Sequence, residues 1–178
     1  HRTSRRQRQM CIRDSSDLKT YSLNKYDTVI GISCSGAASY VVSSLAYARE
    51  LKAKTVFLVT NPIPLKATEV DVIITANTGP EIITGSTRMK AGTATKLILN
   101  MISTTTMIKL GKVYGNLMVD LKTVNKKLVD RGIRIISEIT GLTYNNAKKQ
   151  LILSKSSVKA AIVMIKLKCD LDAATKLL

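Results

Sequence analysis

Residues 79–93 read Gly-Pro-Glu-Ile-Ile-Thr-Gly-Ser-Thr-Arg-Met-Lys-Ala-Gly-Thr. This stretch gathers one carboxylate, several hydroxyls, two cations and three glycines. Glycines let a backbone approach a ligand closely. Free N–H groups at a helix start bind anions, and nearby Arg or Lys side chains such as Arg88 and Lys90 reinforce them. Glu81, the one carboxylate among these donors, has the chemistry to grip a sugar hydroxyl or to move a proton. Ser86 and Thr87 add hydroxyls of the kind that could contact a sugar. The same pattern also reads as a loop that caps a buried helix, with Ser86 or Thr87 as N-cap and Glu81 paired to Arg88 or Lys90. The residue types alone leave both readings open.

The elements around this run decide what it faces. Thr28-Val29-Ile30-Gly31-Ile32-Ser33 is a short apolar run that opens into Cys34-Ser35-Gly36-Ala37-Ala38-Ser39. It reads as a buried strand followed by a Gly/Ser loop. Residues 40–51 carry Val41, Leu45, Ala48 and Leu51 at helical spacing. Residues 55–60 form a second strand, stopped by Asn61-Pro62 and Pro64, and residues 70–75 a third. Strand, helix and strand with short links imply an α/β fold with a parallel sheet and right-handed crossovers. Ligands bind such sheets at the carboxyl ends of the strands. Both informative loops, 33–39 and 78–90, lie there, which favours a phosphate contact by Ser33, Ser35 and Gly36. The plainer alternative is a strand-to-helix turn with Ser39 as cap. Cys34, beside this loop with no base in view, reads as a small apolar filler.

Residues 91–110 predict a largely buried helix, residues 111–116 a turn, and residues 117–140 a second, more amphipathic helix. Three short helices follow, over residues 144–153, 158–167 and 171–178, with Thr143 and Asp170 as N-caps. The expected organisation has three parts. Residues 1–15 are a basic segment foreign to the rest, residues 16–136 an α/β half-domain with long helices, and residues 137–178 a small three-helix subdomain. The first segment starts at His1, lacks periodicity and reads as translated adaptor or vector sequence. Its alternative is a basic arm for a polyanion.

The chain has 178 residues, 45% of them apolar, which is enough for a real core. Aromatic residues are only 4% and Trp is absent, so that core must be aliphatic. Cys11, Cys34 and Cys169 are odd in number and widely spaced, which fits neither a disulfide framework nor a zinc site. His1 is the only histidine, which argues against histidine-based catalysis. No apolar run approaches a membrane span and the start carries no signal-peptide pattern, so the expected compartment is a reducing cytoplasm. The net charge of +16 raises nucleic acid as a partner. Residues 1–15 hold five Arg and one Asp, leaving +12 elsewhere, mostly as Lys spread over helical segments. With few aromatic side chains for stacking and no recognised motif, a solvated surface is the better reading.

Residues 79–121, GPEIITGSTRMKAGTATKLILNMISTTTMIKLGKVYGNLMVDL, resemble the signature region of the N-acetylmuramic acid 6-phosphate etherases. The glucokinase regulatory protein shares part of that signature. Upstream, YDTVIGISCSGAASYVVSSLAYARELKAKTVFLVTNP is similar to the second half of the SIS (sugar isomerase) domain of that family. Downstream, ITGLTYNNAKKQLILSKSSVKAAIVMIKLKCDLDAATKLL looks like its C-terminal three-helix piece. The resemblance implies a C-terminal portion of a bacterial cytoplasmic lyase without metal or organic cofactor, homodimeric, acting in cell-wall amino-sugar recycling. The implied reaction cleaves the D-lactyl ether of N-acetylmuramic acid 6-phosphate by elimination and water addition. It yields N-acetylglucosamine 6-phosphate and D-lactate.

Two departures qualify this. The family's two catalytic glutamates lie in the first half of the SIS domain, which would precede Tyr26. Glu50, Glu69, Glu81 and Glu138 are the chain's glutamates and none sits in the matching motif. No residue is therefore carried over as one of the family's acid or base pair; Glu81 is a candidate auxiliary, to bind a sugar hydroxyl or take a proton as the matching glutamate does in related sugar-phosphate isomerases. The family's Ser-Gly-Arg-Thr phosphate loop is here Ser35-Gly36-Ala37-Ala38. Either Ser39 replaces the missing hydroxyl or phosphate affinity is lower. Substrate-binding candidates are thus Ser33, Ser35, Gly36, Ser39, Glu81, Ser86, Thr87, Arg88 and Lys90. Arg88 and Lys90 also suit a dimer seam. The same signature includes Tyr114 and Asn116, which an interhelical turn explains equally well. A non-catalytic sugar-phosphate sensor, like the glucokinase regulatory protein, is the alternative function.

Overall fold

The computed structural model describes residues 17–62 and 69–178. The basic segment 1–15 and the stop at Pro64 lie outside these residues. By internal contacts the chain divides after Met101 into two compact units.

The first unit is built on a three-stranded parallel sheet, β1 (Thr28–Ile32), β2 (Lys54–Val59) and β3 (Val72–Thr75), in the order β1-β2-β3. Helix α1 (Ser39–Glu50) crosses over between β1 and β2, as the sequence pattern requires. The sheet and α1 close around fully buried Leu45, Phe57 and Val59, with Val29, Val41 and Val70 packed against them. Gly31 explains how α1 lies so close. A Cβ at that position would stand 2.6 Å from both Leu45 Cδ1 and Val41 Cγ1, so only glycine fits beneath the helix.

Asp71 fastens the opposite edge of β2 to the entry of β3. Its Oδ2 accepts the Thr55 N–H at 2.8 Å and the Thr55 hydroxyl at 2.8 Å, while Lys54 Nζ donates to Oδ1 at 3.0 Å. The Asp71 N–H in turn donates to Thr55 Oγ1 at 3.1 Å. The Lys54 bond, then those from Thr55, hold the Asp71 carboxyl at a pKa of about 2.

Helix α2 (Lys90–Lys109) follows the loop after β3. It is the expected helix but not a buried one. Ala91 is its one buried residue, and Leu97, Met101, Met107 and Ile108 are about half exposed. An apolar sequence is buried only where another element covers it.

The second unit, from Ile102, corrects the helix expected over 117–140. A hairpin comes first, β4 (Val113–Tyr114) against β5 (Leu117–Met118), antiparallel across Gly115-Asn116. A Gly-Asn pair suits such a two-residue link, and the helical reading of Leu117 and Met118 overlooked it. Helix α3 (Lys126–Thr140) begins only after Asn125, whose Oδ1 accepts the Leu128 N–H at 2.9 Å. Helices α4 (Tyr144–Leu153), α5 (Val158–Leu167) and α6 (Leu171–Lys176) complete the chain close to the expected bounds. Asp170 caps α6 through the Ala173 N–H at 2.8 Å, whereas Thr143 makes no such bond to α4. In Thr143 the backbone is already extended as an N-cap requires, but its hydroxyl does not bond to the first turn. Ile133 and Ile136 of α3, Ala147 and Leu151 of α4, and Val158 and Ala161 of α5 share one core. Among the described residues no helix is long and apolar enough to cross a membrane.

Candidate functional site

At the carboxyl ends of all three strands the first unit opens into a cavity of about 550 Å³. From β1 come Ser33, Cys34 and Ser35, with Ala38 at the start of α1; from β2 come Thr60 and Asn61; from β3 come Asn77 and Thr78. Glu81, Ser86 and Thr87 form the remaining wall with Ala91 of α2. The lining sets hydroxyls, amides and one carboxylate among small apolar side chains.

The loop after β1 is shaped by its own backbone. The Ser33 N–H still donates to the Leu58 carbonyl at 3.0 Å, extending the parallel ladder. The Gly36 N–H then turns back to the Ser33 carbonyl at 3.3 Å, and the Ala37 N–H donates to Ser35 Oγ at 3.3 Å. Ala38 is the N-cap of α1 and offers no side-chain bond to its first turn. Ser39, considered as the cap, is instead the first helical residue. The positive end of α1 therefore meets the cavity without a capping side chain from the N-cap residue.

Residues 79–93 resolve differently from either simple reading. The α2 N-terminus is capped neither by Ser86 nor by Thr87 but by Glu81, nine residues upstream. Its Oε2 accepts the Lys90 N–H at 3.1 Å and its Oε1 the Ala91 N–H at 3.1 Å. The ion pair weighed with Arg88 or Lys90 does not form. Lys90 Nζ donates instead to the Pro80 carbonyl at 2.8 Å, and Arg88 is exposed. The Ala91 N–H, then the Lys90 N–H, pull the Glu81 carboxyl below its ordinary pKa. Within the loop the Ser86 N–H donates to the Ile83 carbonyl at 3.0 Å. Gly85 supplies the positive φ, +83°, that this turn demands at its third position.

Of the residues singled out in the sequence, Ser33, Ser35, Glu81, Ser86 and Thr87 line the cavity. Gly36 shapes the first loop from behind it, Ser39 stands one residue into α1, and Arg88 and Lys90 lie outside the lining. Thr60, Asn61 and Asn77 went unnoticed. The signal was their place just past β2 and β3. Thr60 ties two of these loops together, its N–H and Oγ1 reaching the Cys34 carbonyl at 3.3 and 3.4 Å. Asn77 Oδ1 accepts the Gly79 N–H at 3.1 Å.

No family model matches the chain. Comparison with curated proteins gives a consistent result. The chain is 55% identical over 158 residues to the N-acetylmuramic acid 6-phosphate etherase of Oceanobacillus iheyensis, covering 89% of this chain and 54% of that protein. It is 47% identical to the etherase of Pseudothermotoga lettingae, over 92% of this chain and 54% of the relative. With that of Pectobacterium atrosepticum it shares 48% identity, over 89% of this chain and 52% of the relative. This chain is a homologue of these etherases. It spans about half the length of the curated relatives it matches.

Proposed function

We propose that this chain forms the sugar-phosphate-binding wall of an N-acetylmuramic acid 6-phosphate etherase built on a SIS domain. The observation that carries the reading is 47–55% identity to proteins of that name over about nine-tenths of the chain. The cavity's chemistry agrees with it. The Ser33–Ser35 hydroxyls and the start of α1 suit a 6-phosphate group, and Ser86, Thr87 and Asn77 suit sugar hydroxyls. The whole enzyme would be a bacterial cytoplasmic lyase working as a homodimer, releasing D-lactate and N-acetylglucosamine 6-phosphate. The relatives above are named etherases, so the sugar-phosphate-sensor reading is not favoured.

The elimination needs a base for the proton next to the sugar aldehyde and an acid for the lactyl oxygen. The cavity offers neither among its own side chains. Its one carboxylate, Glu81, is committed to two backbone N–H groups, and Cys34 has no base beside it. The chain by itself therefore binds a sugar phosphate and does not turn it over. Titration of the 178-residue chain with N-acetylglucosamine 6-phosphate tests this, together with a D-lactate assay on N-acetylmuramic acid 6-phosphate. Saturable binding without D-lactate is expected. Ser35→Ala should weaken binding several-fold, by roughly the 1 kcal/mol of one lost hydrogen bond. D-lactate release by the chain alone would refute the division of labour, and no binding would refute the site.

A further inference from the structure

The segment 82–89 is closed at its base by the residues that bracket it. Ile82 and Ile83 are 81% and 73% exposed, so no apolar burial anchors its outer half. Its inner half presents Ser86 and Thr87 to the cavity. At its base, Glu81 accepts the Lys90 and Ala91 N–H groups, each at 3.1 Å, and Lys90 Nζ returns to the Pro80 carbonyl at 2.8 Å. These three bonds join residues 80–81 to residues 90–91 and close the intervening chain into a ring.

We infer that Glu81, with Lys90, is a positioning latch that fixes Ser86 and Thr87 at the cavity wall, and not a proton-transfer group. The closure is polar and local, and it registers the loop against the first turn of α2, a rigid element. Both carboxylate oxygens take part, so the loop base is held at two adjacent N–H groups. A phosphate group held by the loop after β1 would not sense the change. The sugar body, which reaches across to Ser86 and Thr87, would. The ligand half of this inference rests on the sugar-phosphate reading of the cavity; the closure of the loop does not.

Glu81→Gln in the 178-residue chain tests the latch, because the amide keeps the shape but turns one acceptor into a donor facing an N–H. Amide hydrogen exchange by NMR is the first measurement. Faster exchange at Lys90 and Ala91, with Ser86 and Thr87 resonances broadened or shifted, is expected. Unchanged Ser86 and Thr87 signals alongside exposed Lys90 and Ala91 amides would overturn the inference, with or without a ligand. The second measurement compares two probes. Affinity for N-acetylglucosamine 6-phosphate should fall about tenfold while affinity for inorganic phosphate stays the same. Equal loss of both would also overturn it. Failure of the unsubstituted chain to bind the sugar phosphate would count against the site reading alone, with the exchange result still deciding the latch. Should Glu81→Gln compromise folding, Lys90→Met removes the other arm and should produce the same pattern more weakly. Unaltered Ser86 and Thr87 signals in that variant would again oppose the latch.

Discussion

A carboxylate that accepts two backbone N–H groups is stabilised in its charged form and gives up its value as a base near neutral pH. Glu81 is in that position, and its lowered pKa makes its contribution to stability pH-dependent. Above the ordinary glutamate value the group is ionised in folded and unfolded chains alike, and the two bonds are fully present. As pH falls through the lower folded-state value the proton is taken up and the contribution is lost. Denaturant unfolding at pH 7 should therefore show Glu81→Gln less stable than the unsubstituted chain. The gap should narrow in the acid range; a gap that is constant with pH would contradict the capping role. At the same scale, the alanines of Ser35-Gly36-Ala37-Ala38 leave the first loop dependent on Ser33, Ser35 and backbone N–H groups for any anion it takes.

At the scale of elements, the sheet and helix α3 each carry a polar fastening whose removal can be tested. Asp71 ties β2 to the entry of β3 through Thr55 and Lys54. Its pKa of about 2 lies below the ordinary aspartate value of 3.8, so the unfolded chain takes up the proton first as pH drops through this interval. Stability from this group is largely present above about pH 4 and is lost as pH falls through about 2. Asp71→Asn should lower the unfolding midpoint at pH 6, and the difference from the unsubstituted chain should shrink as pH falls toward about 2. Asn125 fastens α3. Asn125→Ala should cost about 1 kcal/mol in equilibrium unfolding, the usual value of an N-cap. Gly31→Val is the severe case. Its Cβ would strike Leu45 and Val41, and loss of the cooperative transition is the outcome to look for by circular dichroism.

Across the whole molecule the two units bury their apolar residues differently. The second unit concentrates its core at Ile133, Ile136, Leu151 and Val158, all nearly inaccessible. Ile136→Ala should destabilise it by about 2–5 kcal/mol, measured by thermal or denaturant unfolding. Helix α2 is the opposite case. It is 20 residues long and, apart from Ala91, leaves its side chains accessible. Leu97 and Met101 at 50% and 59% exposure lie one turn apart on it. In the proposed homodimer such a face is what a second copy covers. Replacing both with Lys should shift sedimentation toward the monomer; an unaltered distribution would remove α2 from that interface.

The sequence by itself determined the elements whose signals are local. Short apolar runs located all three strands to within two residues, helical spacing located α1 and the tail helices, and the short strand–helix–strand links dictated a parallel sheet. The 79–121 signature indicated the relatives that the comparison found. Tertiary structure decided what required partners distant in sequence. Glu81 caps a helix nine residues away, so no N-cap pattern at Ser86 or Thr87 revealed it. Thr60, Asn61 and Asn77 carry no motif and acquire meaning only because parallel strands bring their ends together. The apolar look of residues 91–110 gave helix correctly and burial wrongly. Periodicity and composition express what a helix can bury, whereas burial itself depends on which surfaces fold against it.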